Sequence, residues 1–438
     1  MRKPRVGLIF SAVPSERRTW PYVGYDYKKR AEELEKLIKE NLPEIEFVAK
    51  LVQSRDDVEK ILQEIGEVDG YVIYYIGIWL GATEAILKKN KPTILVDDLY
   101  AGSGEFLLEY SKAKRKGYSV LGVAATNIKD IIKYIRLLDV VYRFKNSKIV
   151  VVTDRKIDDE YRETIEEEYG LKLIQYSSSK LNEVYENTND EEAKRWKEKW
   201  IREAERILET SEEEVFKAAK MYLALKKIIE KEKADAITVD CLALVYGGKI
   251  LAYPCLAFFQ LNNDGYVATC EADIDSTATM LLIKYLTGRP SFVSDPVIDL
   301  SSNQVIYAHC VAPSKVYGPG GHSAKYILRT HAEDRSGVSV QVLMPLGEKV
   351  TTVKLNLRER TMSIHSGKIV ANVEEEKACR TKVAVETDAY NILENWNMYS
   401  NFGWHRVTVV GDYRREFINI ARLLRLKVIE EDKTPALK

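Results

Sequence analysis

Histidine is scarce in this chain of 438 residues: there are five, His309, His322, His331, His365 and His405. All lie in the last third, so each can be inspected as a candidate ligand or base. Cysteine is equally scarce, at Cys241, Cys255, Cys270, Cys310 and Cys379. The number is odd and no two form a CxxC pair. That argues against a disulfide framework or a thiolate zinc site and for buried, reduced thiols. Net charge is absent, with 66 basic residues against 66 acidic ones. A nucleic-acid partner would need a basic stripe and an anionic membrane surface a basic patch, and the balance supports neither. Long apolar runs are also missing. The longest, from Tyr71 to Leu80, falls well short of the ~20 residues of a membrane helix. The opening MRKPRVGLIFSAVPSERR has too short an apolar core for a signal peptide and reads as a first strand, so the expected location is the cytoplasm. No GxGxxG follows that strand, and a dinucleotide site is not expected.

What is present is enough apolar material, 45%, for substantial cores. The first third alternates strand and helix. Arg5–Phe10 is β-branched, and Tyr27–Asn41 carries Leu34, Leu37 and Ile38 at helical spacing. Gly70–Ile76 is nearly continuously apolar, as expected of a parallel strand buried on both faces. The pattern resumes with the strand Ile149–Thr153 and the helix Glu160–Tyr169. The charged run Asp190–Lys233 reads as a solvated helix pair. From Val305 onward short strands and turn signals dominate, including GPGGHS and Ser366–Gly367. The final helix is placed at Arg414–Leu426. The expected architecture is two open α/β (Rossmann-like) domains, 1–145 and 146–290, followed by a β-rich, barrel-like C-terminal domain, 291–438.

Three acids look least like surface decoration. Glu271 and Asp273 follow the strand-like run Tyr266–Thr269, and Asp295 precedes a proline in the apolar setting FVSDPVIDL. Acids at the ends of buried strands need a partner or a metal. Carboxylates joined by imidazoles form a hard-to-borderline site suited to Mn²⁺, with Co²⁺, Mg²⁺ or Zn²⁺ as alternatives. The other reading is structural ion pairs and capping acids, and Asp273 in particular is placed to cap a helix starting near Ser276. Asp240 either lines the site or merely ends a strand. His309 is either a ligand, a substrate contact or a core histidine. His322 reads as a turn residue beside GPGG, and His365 as part of a surface strand with no assigned role.

The segment YVATCEADIDSTATMLLIKYLTGRPSFVSD resembles the core signature of the L-fucose isomerase family: an acid after an alanine-threonine strand end, a Met- and Leu-rich helix, Leu-Thr-Gly, then a second acid. Glu271 and Asp295 fall on the two acids, at the family's interval. L-arabinose isomerases are similar and have a further histidine downstream, which IYAHCVAP matches with His309. NFGWHRVTVVGD resembles the family's late histidine before a strand and Gly-Asp, at His405. YILRTHAED, with Arg329 and His331, and ACRTKV, with Arg380, resemble segments of fucose-isomerase-like proteins. The resemblance is strongest over about residues 236–425. The chain departs from the bacterial fucose isomerases in length and in having Glu271-Ala272-Asp273 where they have Glu-Asn-Asp.

The resemblance implies an aldose–ketose isomerase acting on an L-fucose-, D-arabinose- or L-arabinose-like sugar through a cis-enediolate. It implies Glu271 and Asp295 as acid and base and Glu271, Asp295, His405 and His309 as metal ligands. Mn²⁺ is the expected ion, with Co²⁺ or Mg²⁺ as alternatives. Asp240, Arg329, His331, Trp404 and Trp20 are the expected sugar contacts. It also implies a homo-oligomer, trimer or hexamer, in which the first domain of one subunit closes a neighbour's site. The segment around Trp20 and Tyr22, or Trp79, is the candidate for that wall, the other reading being that these aromatics pack locally. The rival readings are an epimerase or lyase on the same scaffold and a non-catalytic sugar-binding protein.

Overall fold

The computed structural model describes residues 2–398 and 402–434. The chain forms two compact units. One comprises Met1–Arg143 with Arg415–Lys427, the other Phe144–Arg414 with Val428–Lys438. Among the described residues, no helix is long and apolar enough to cross a membrane.

The first unit is an open, wholly parallel sheet of five strands, in the order Glu46–Val52, Arg5–Ser11, Gly70–Tyr75, Thr93–Asp97, Val120–Ala124. Gly70–Tyr75 is buried at every position, which explains its unalternating apolar sequence. The helix Tyr27–Asn41 starts where the Asp26 carboxylate accepts from the Lys29 amide. It turns Tyr27, Ala31, Leu34 and Ile38 inward, a stripe at helical spacing. The C-terminal segment returns to this unit, where the Ser119 hydroxyl donates to the Leu423 carbonyl at 2.6 Å.

The second unit begins with four parallel strands in the order Val267–Cys270, Ala236–Val239, Lys148–Val152, Lys172–Tyr176. The chain runs outward from Lys148–Val152 to one side first and to the other later. The order therefore reverses between Lys148–Val152 and Ala236–Val239. Such a reversal opens a crevice at the carboxyl ends of the strands, where open α/β sheets bind ligands.

Six antiparallel strands then close a barrel: Lys349–Asn356, Arg406–Val410, Phe292–Asp299, Gln304–His309, Thr381–Glu386 and Thr361–Asn372, the last pairing back with the first. Closure leaves no bare edge within the six, and Lys427–Glu430 adds alongside Thr361–Asn372. The expected fold, α/β sheets followed by a β-barrel, is thus the one observed. The barrel packs on the helix Ile274–Thr287, where the Leu355 amide donates to the Thr279 hydroxyl at 3.0 Å.

Two local expectations are corrected. The charged run is not simply a solvated pair. Its second helix, Glu212–Glu232, buries Val215, Ala219, Met221, Tyr222, Leu225 and Ile229 and forms part of the core. At its start the Ser211 hydroxyl accepts from the Glu214 amide and three acids fill the first turn. His365 is not on a surface strand either. It is 1% exposed, with Nδ1 2.8 Å from Glu431 and Nε2 hydrogen-bonded to the Tyr307 hydroxyl. In a closed barrel, the inward face of each strand is enclosed whatever its polarity.

Candidate functional site

The site is built where the parallel sheet of the second unit meets the barrel. Val267–Cys270 ends at Glu271. Glu271 and Ala272 both take left-handed backbone conformations, with φ of 62° and 50°. Non-glycine residues adopt this region at a cost of about 1–3 kcal/mol each. The Ala272 amide, donating to the Val239 carbonyl at 3.0 Å, holds the turn in place. The chain then enters the helix Ile274–Thr287 at Asp273, whose carboxylate accepts from the Ser276 amide at 2.8 Å. The expected cap is present, and the sharp turn aims the Glu271 side chain beyond the strand end.

The barrel supplies the rest through register. Ser294 pairs with Arg406 and Asp295 pairs with Ala308. Asp295 therefore stands one step past Arg406, beside His405, while His309 follows its partner Ala308 as the last residue of the neighbouring strand. His405 Nε2 lies 3.3 Å from Asp295 Oδ1 and 3.4 Å from Glu271 Oε2. His309 Nε2 lies 3.8 Å from Glu271 Oε1, and the two imidazole centroids are 5.8 Å apart. Glu271, Asp295, His405 and His309, 134 positions apart at their extremes in sequence, are thus brought to one point.

Behind them sits a supporting layer in which the sequence singles out Asp273 alone. Asp273 Oδ2 accepts from His405 Nδ1 at 2.8 Å, so the same carboxylate that caps the helix also orients the imidazole. Lys354, buried on the barrel strand Lys349–Asn356, donates to Asp273 Oδ2 at 2.5 Å and to the Ser276 hydroxyl at 2.6 Å. In KVTTVKLN this lysine reads as an ordinary strand residue. Its alternation with apolar neighbours places it on the opposite face from them, which reads as solvated. Cys270 is also close, its sulfur 3.3 Å from His309 Nε2.

The electrostatics follow from this crowding. Burial alone would push the His405 imidazole down. Bonds to Asp273, Asp295 and Glu271 outweigh burial and hold it up at about 11. Burial would push the Glu271 and Asp295 carboxyls up, and their contacts with His405 keep both below the usual carboxylate range. Asp273 is driven further down, against its own burial, by Lys354 and His405. Three carboxylates thus demand a positive charge in their midst. A divalent cation meets that demand as well as a proton does. Glu271 and Asp295 offer oxygens, and His405, with Nδ1 committed to Asp273, offers the Nε2 lone pair. This carboxylate–imidazole–metal relation is common in metal sites. Two trios have ligand atoms within 4.8 Å of one another: Asp295–His309–His405 and Cys270–Glu271–His309. The donor set fits a hard or borderline divalent ion.

The remaining expected contacts are placed as follows. Asp240 ends the neighbouring strand, held by the Thr153 hydroxyl at 3.0 Å and paired with Arg155 at 3.1 Å. Trp404 precedes His405, is 52% exposed, and donates to the Pro296 carbonyl at 3.1 Å. Arg329 is committed elsewhere, on Glu209, Gln341 and Glu376. His331 bonds Asp334 at 3.1 Å and packs on Tyr253. Trp20, in the first unit, is 54% exposed, and Tyr22 and Trp79 of that unit are exposed as well.

Residues 140–289 match the family model of the L-arabinose isomerase central domain. That span includes Glu271 and ends before Asp295. The chain is 28% identical over 240 residues to the sulfoquinovose isomerases of Priestia aryabhattai and Priestia megaterium (strain ATCC 12872 / QMB1551). The match covers 52% of this chain and 53% of each relative. It is 23% identical over 219 residues to the sulfoquinovose isomerase of Clostridium sp. (strain MSTE9), covering 48% of this chain and 46% of the relative. The chain therefore spans about half the length of the curated relatives it matches. These similarities support an arabinose/fucose isomerase-like relationship without singling out the fucose isomerases.

Proposed function

We propose that the protein interconverts an aldose and its ketose, with Glu271 and Asp295 as the acid–base pair and Glu271, Asp295 and His405 as ligands of a divalent cation, Mn²⁺ first among them. The observation that carries this is the convergence of both carboxylates on His405 Nε2, at 3.4 and 3.3 Å.

The chemistry requires hydrogen to move from C2 to C1. The C2 proton becomes removable only if the charge that forms on the neighbouring oxygen is stabilised. A divalent ion at this site would supply that stabilisation as a Lewis acid. Glu271 and Asp295, held ionised by their surroundings, remove a proton on one side of the carbon pair and return one on the other. Each such step contributes about 10²–10⁴-fold. Asp273, fixed by Lys354 and Ser276, keeps the His405 ring oriented. Asp240 and the exposed face of Trp404 are proposed to meet the sugar's hydroxyls and apolar face. Within the second unit we assign the sheet to 146–290 and the barrel to the part of 291–438 that lies outside Arg415–Lys427, the first acid coming from the one and the second acid and both histidines from the other.

The substrate class follows less from this centre than from what surrounds it. The relatives are named for sulfoquinovose, so a sulfonated hexose joins L-fucose, D-arabinose and L-arabinose as candidates. The test is solvent deuterium exchange. The protein would be incubated in D₂O with Mn²⁺ and each of these sugars, with a chelated control, and label read at C1 and C2 by NMR. Ketose carrying deuterium, lost on chelation, is expected. Label without ketose would move the reading to an epimerase, and no label with any sugar would overturn it.

A further inference from the structure

We infer that the two histidines of the site have divided roles: His405 is the cation's imidazole ligand, whereas His309 keeps a proton on Nε2 and serves as a hydrogen-bond donor facing the substrate. This rests on the reading of the site given above and assigns His309 within it.

The argument is one of donors and acceptors. A neutral imidazole has one N–H and one lone pair, and whatever occupies one nitrogen decides what the other can do. At His405, Nδ1 faces the Asp273 carboxylate, an acceptor, at 2.8 Å. Nδ1 must carry hydrogen, and Nε2 is left to present its lone pair between Glu271 and Asp295. At His309 the situation is reversed. Its Nδ1 accepts the backbone amide of Cys310 at 2.9 Å. A nitrogen that accepts an N–H has no hydrogen of its own and has spent its lone pair. The hydrogen of His309 is therefore on Nε2, which is then a donor and not a ligand. Around Nε2 lie the Cys270 sulfur at 3.3 Å and Glu271 Oε1 at 3.8 Å. The sulfur is a weak acceptor and the carboxylate is beyond hydrogen-bond length, so the N–H has no strong partner in either. His309 is 4% exposed and fixed on the barrel strand Gln304–His309. It offers this donor at a constant place beside the carboxylate that faces the reacting carbons. A sugar oxygen lying against Glu271 would meet it.

The test compares His309→Leu, His309→Gln and His405→Gln in the full chain, with Mn²⁺ affinity read by titration calorimetry. The expected result is a Kd for both His309 variants within about threefold of the unsubstituted protein. For His405→Gln the expected Kd is raised at least 10–100-fold, the range for disturbing even a ligand's orientation. Turnover of His309→Leu should fall about 10²-fold, and the amide donor of His309→Gln should recover part of it. Equal loss of affinity at both histidines would overturn the division. In metal-free protein labelled with ¹⁵N-histidine, the His309 signal, identified by its disappearance in His309→Gln, should show the proton on Nε2. A proton on Nδ1 would overturn the inference whatever the metal does. An unsubstituted protein that binds no divalent ion, with His309 still protonated at Nε2, would overturn the metal reading and leave the donor role of His309 standing.

Discussion

Inside the barrel, His365 bonds Glu431 at 2.8 Å, and Arg406 reaches the other oxygen of that carboxylate at 2.7 Å. The Tyr307 hydroxyl closes on the far nitrogen of His365. One carboxylate faces one fixed guanidinium, and all four side chains are 0–1% exposed. At the end of the parallel sheet, Glu271, Asp273 and Asp295 surround His405. There the fixed cation is Lys354, which reaches Asp273 from behind and does not touch Glu271 or Asp295 among the described contacts. Both constellations combine histidine with buried acid. The first is self-sufficient because its counter-charge is covalently part of the barrel. The second is balanced only when positive charge enters, as a proton on His405 or as a divalent ion. The informative feature is therefore not that a histidine meets an acid, but how many fixed cations face how many carboxylates.

Four experiments would break or sharpen that contrast. Glu271→Gln or Asp295→Asn should lower kcat by about 10³-fold or more while leaving the melting temperature close to that of the parent. A comparable loss of stability with activity retained would make the cluster another structural ion pair. Arg406→Met should do the opposite. Stranding Glu431 in the barrel should cost about 3–5 kcal/mol in urea unfolding, with Mn²⁺ affinity unchanged in whatever protein stays folded. Asp273→Asn keeps an acceptor for the Ser276 amide but removes the charge that orients His405. Mn²⁺ affinity should weaken about 10–100-fold, and an unchanged Kd would show that Asp273 is only a helix cap.

The smallest effect concerns pH. Burial would raise the Glu431 carboxyl, but Arg406 and His365 hold it down at about 2, from an ordinary value of 4.5. A depressed pKa means that the unfolded chain binds the proton more readily. The stabilisation is present above about 4.5 and is lost as the pH falls through about 2. At 1.36 kcal/mol per unit it amounts to about 3 kcal/mol. Urea midpoints between pH 2 and 6 should slope downward toward acid in the parent and much less so in Glu431→Gln. Parallel slopes would remove Glu431 from the account of acid stability.

Much of this organisation is legible in residue order. The stripe in Tyr27–Asn41, the unbroken apolar run at Gly70–Tyr75 and the turn-rich last third point to α/β sheets followed by a β-rich part. Local periodicity reports which face is buried, and that is enough to name elements. Glu271 and Asp295 stand out because an acid at the end of an apolar run conflicts with its surroundings, and Asp273 because a helix follows it. Lys354 does not stand out, since a lysine in an alternating strand looks solvated until the barrel folds against Ile274–Thr287. His365 escapes notice for the same reason: alternation distinguishes two faces of a strand but does not say which one a closed barrel will enclose. In the charged helix Glu212–Glu232 the apolar core face is interrupted by lysines such as Lys217, Lys220 and Lys226 along its length, so that the charge count outweighs the buried stripe.

The sequence by itself determined the elements, the strand-end acids and the cap at Asp273, because each depends on residues a few positions apart. Tertiary structure decided which acids share a histidine, which histidine faces a carboxylate and which a backbone amide, and which buried charges come with a fixed partner. Those outcomes depend on register between barrel strands and on the left-handed turn at Glu271 and Ala272. Such choices join side chains more than a hundred positions apart, and no local pattern records them.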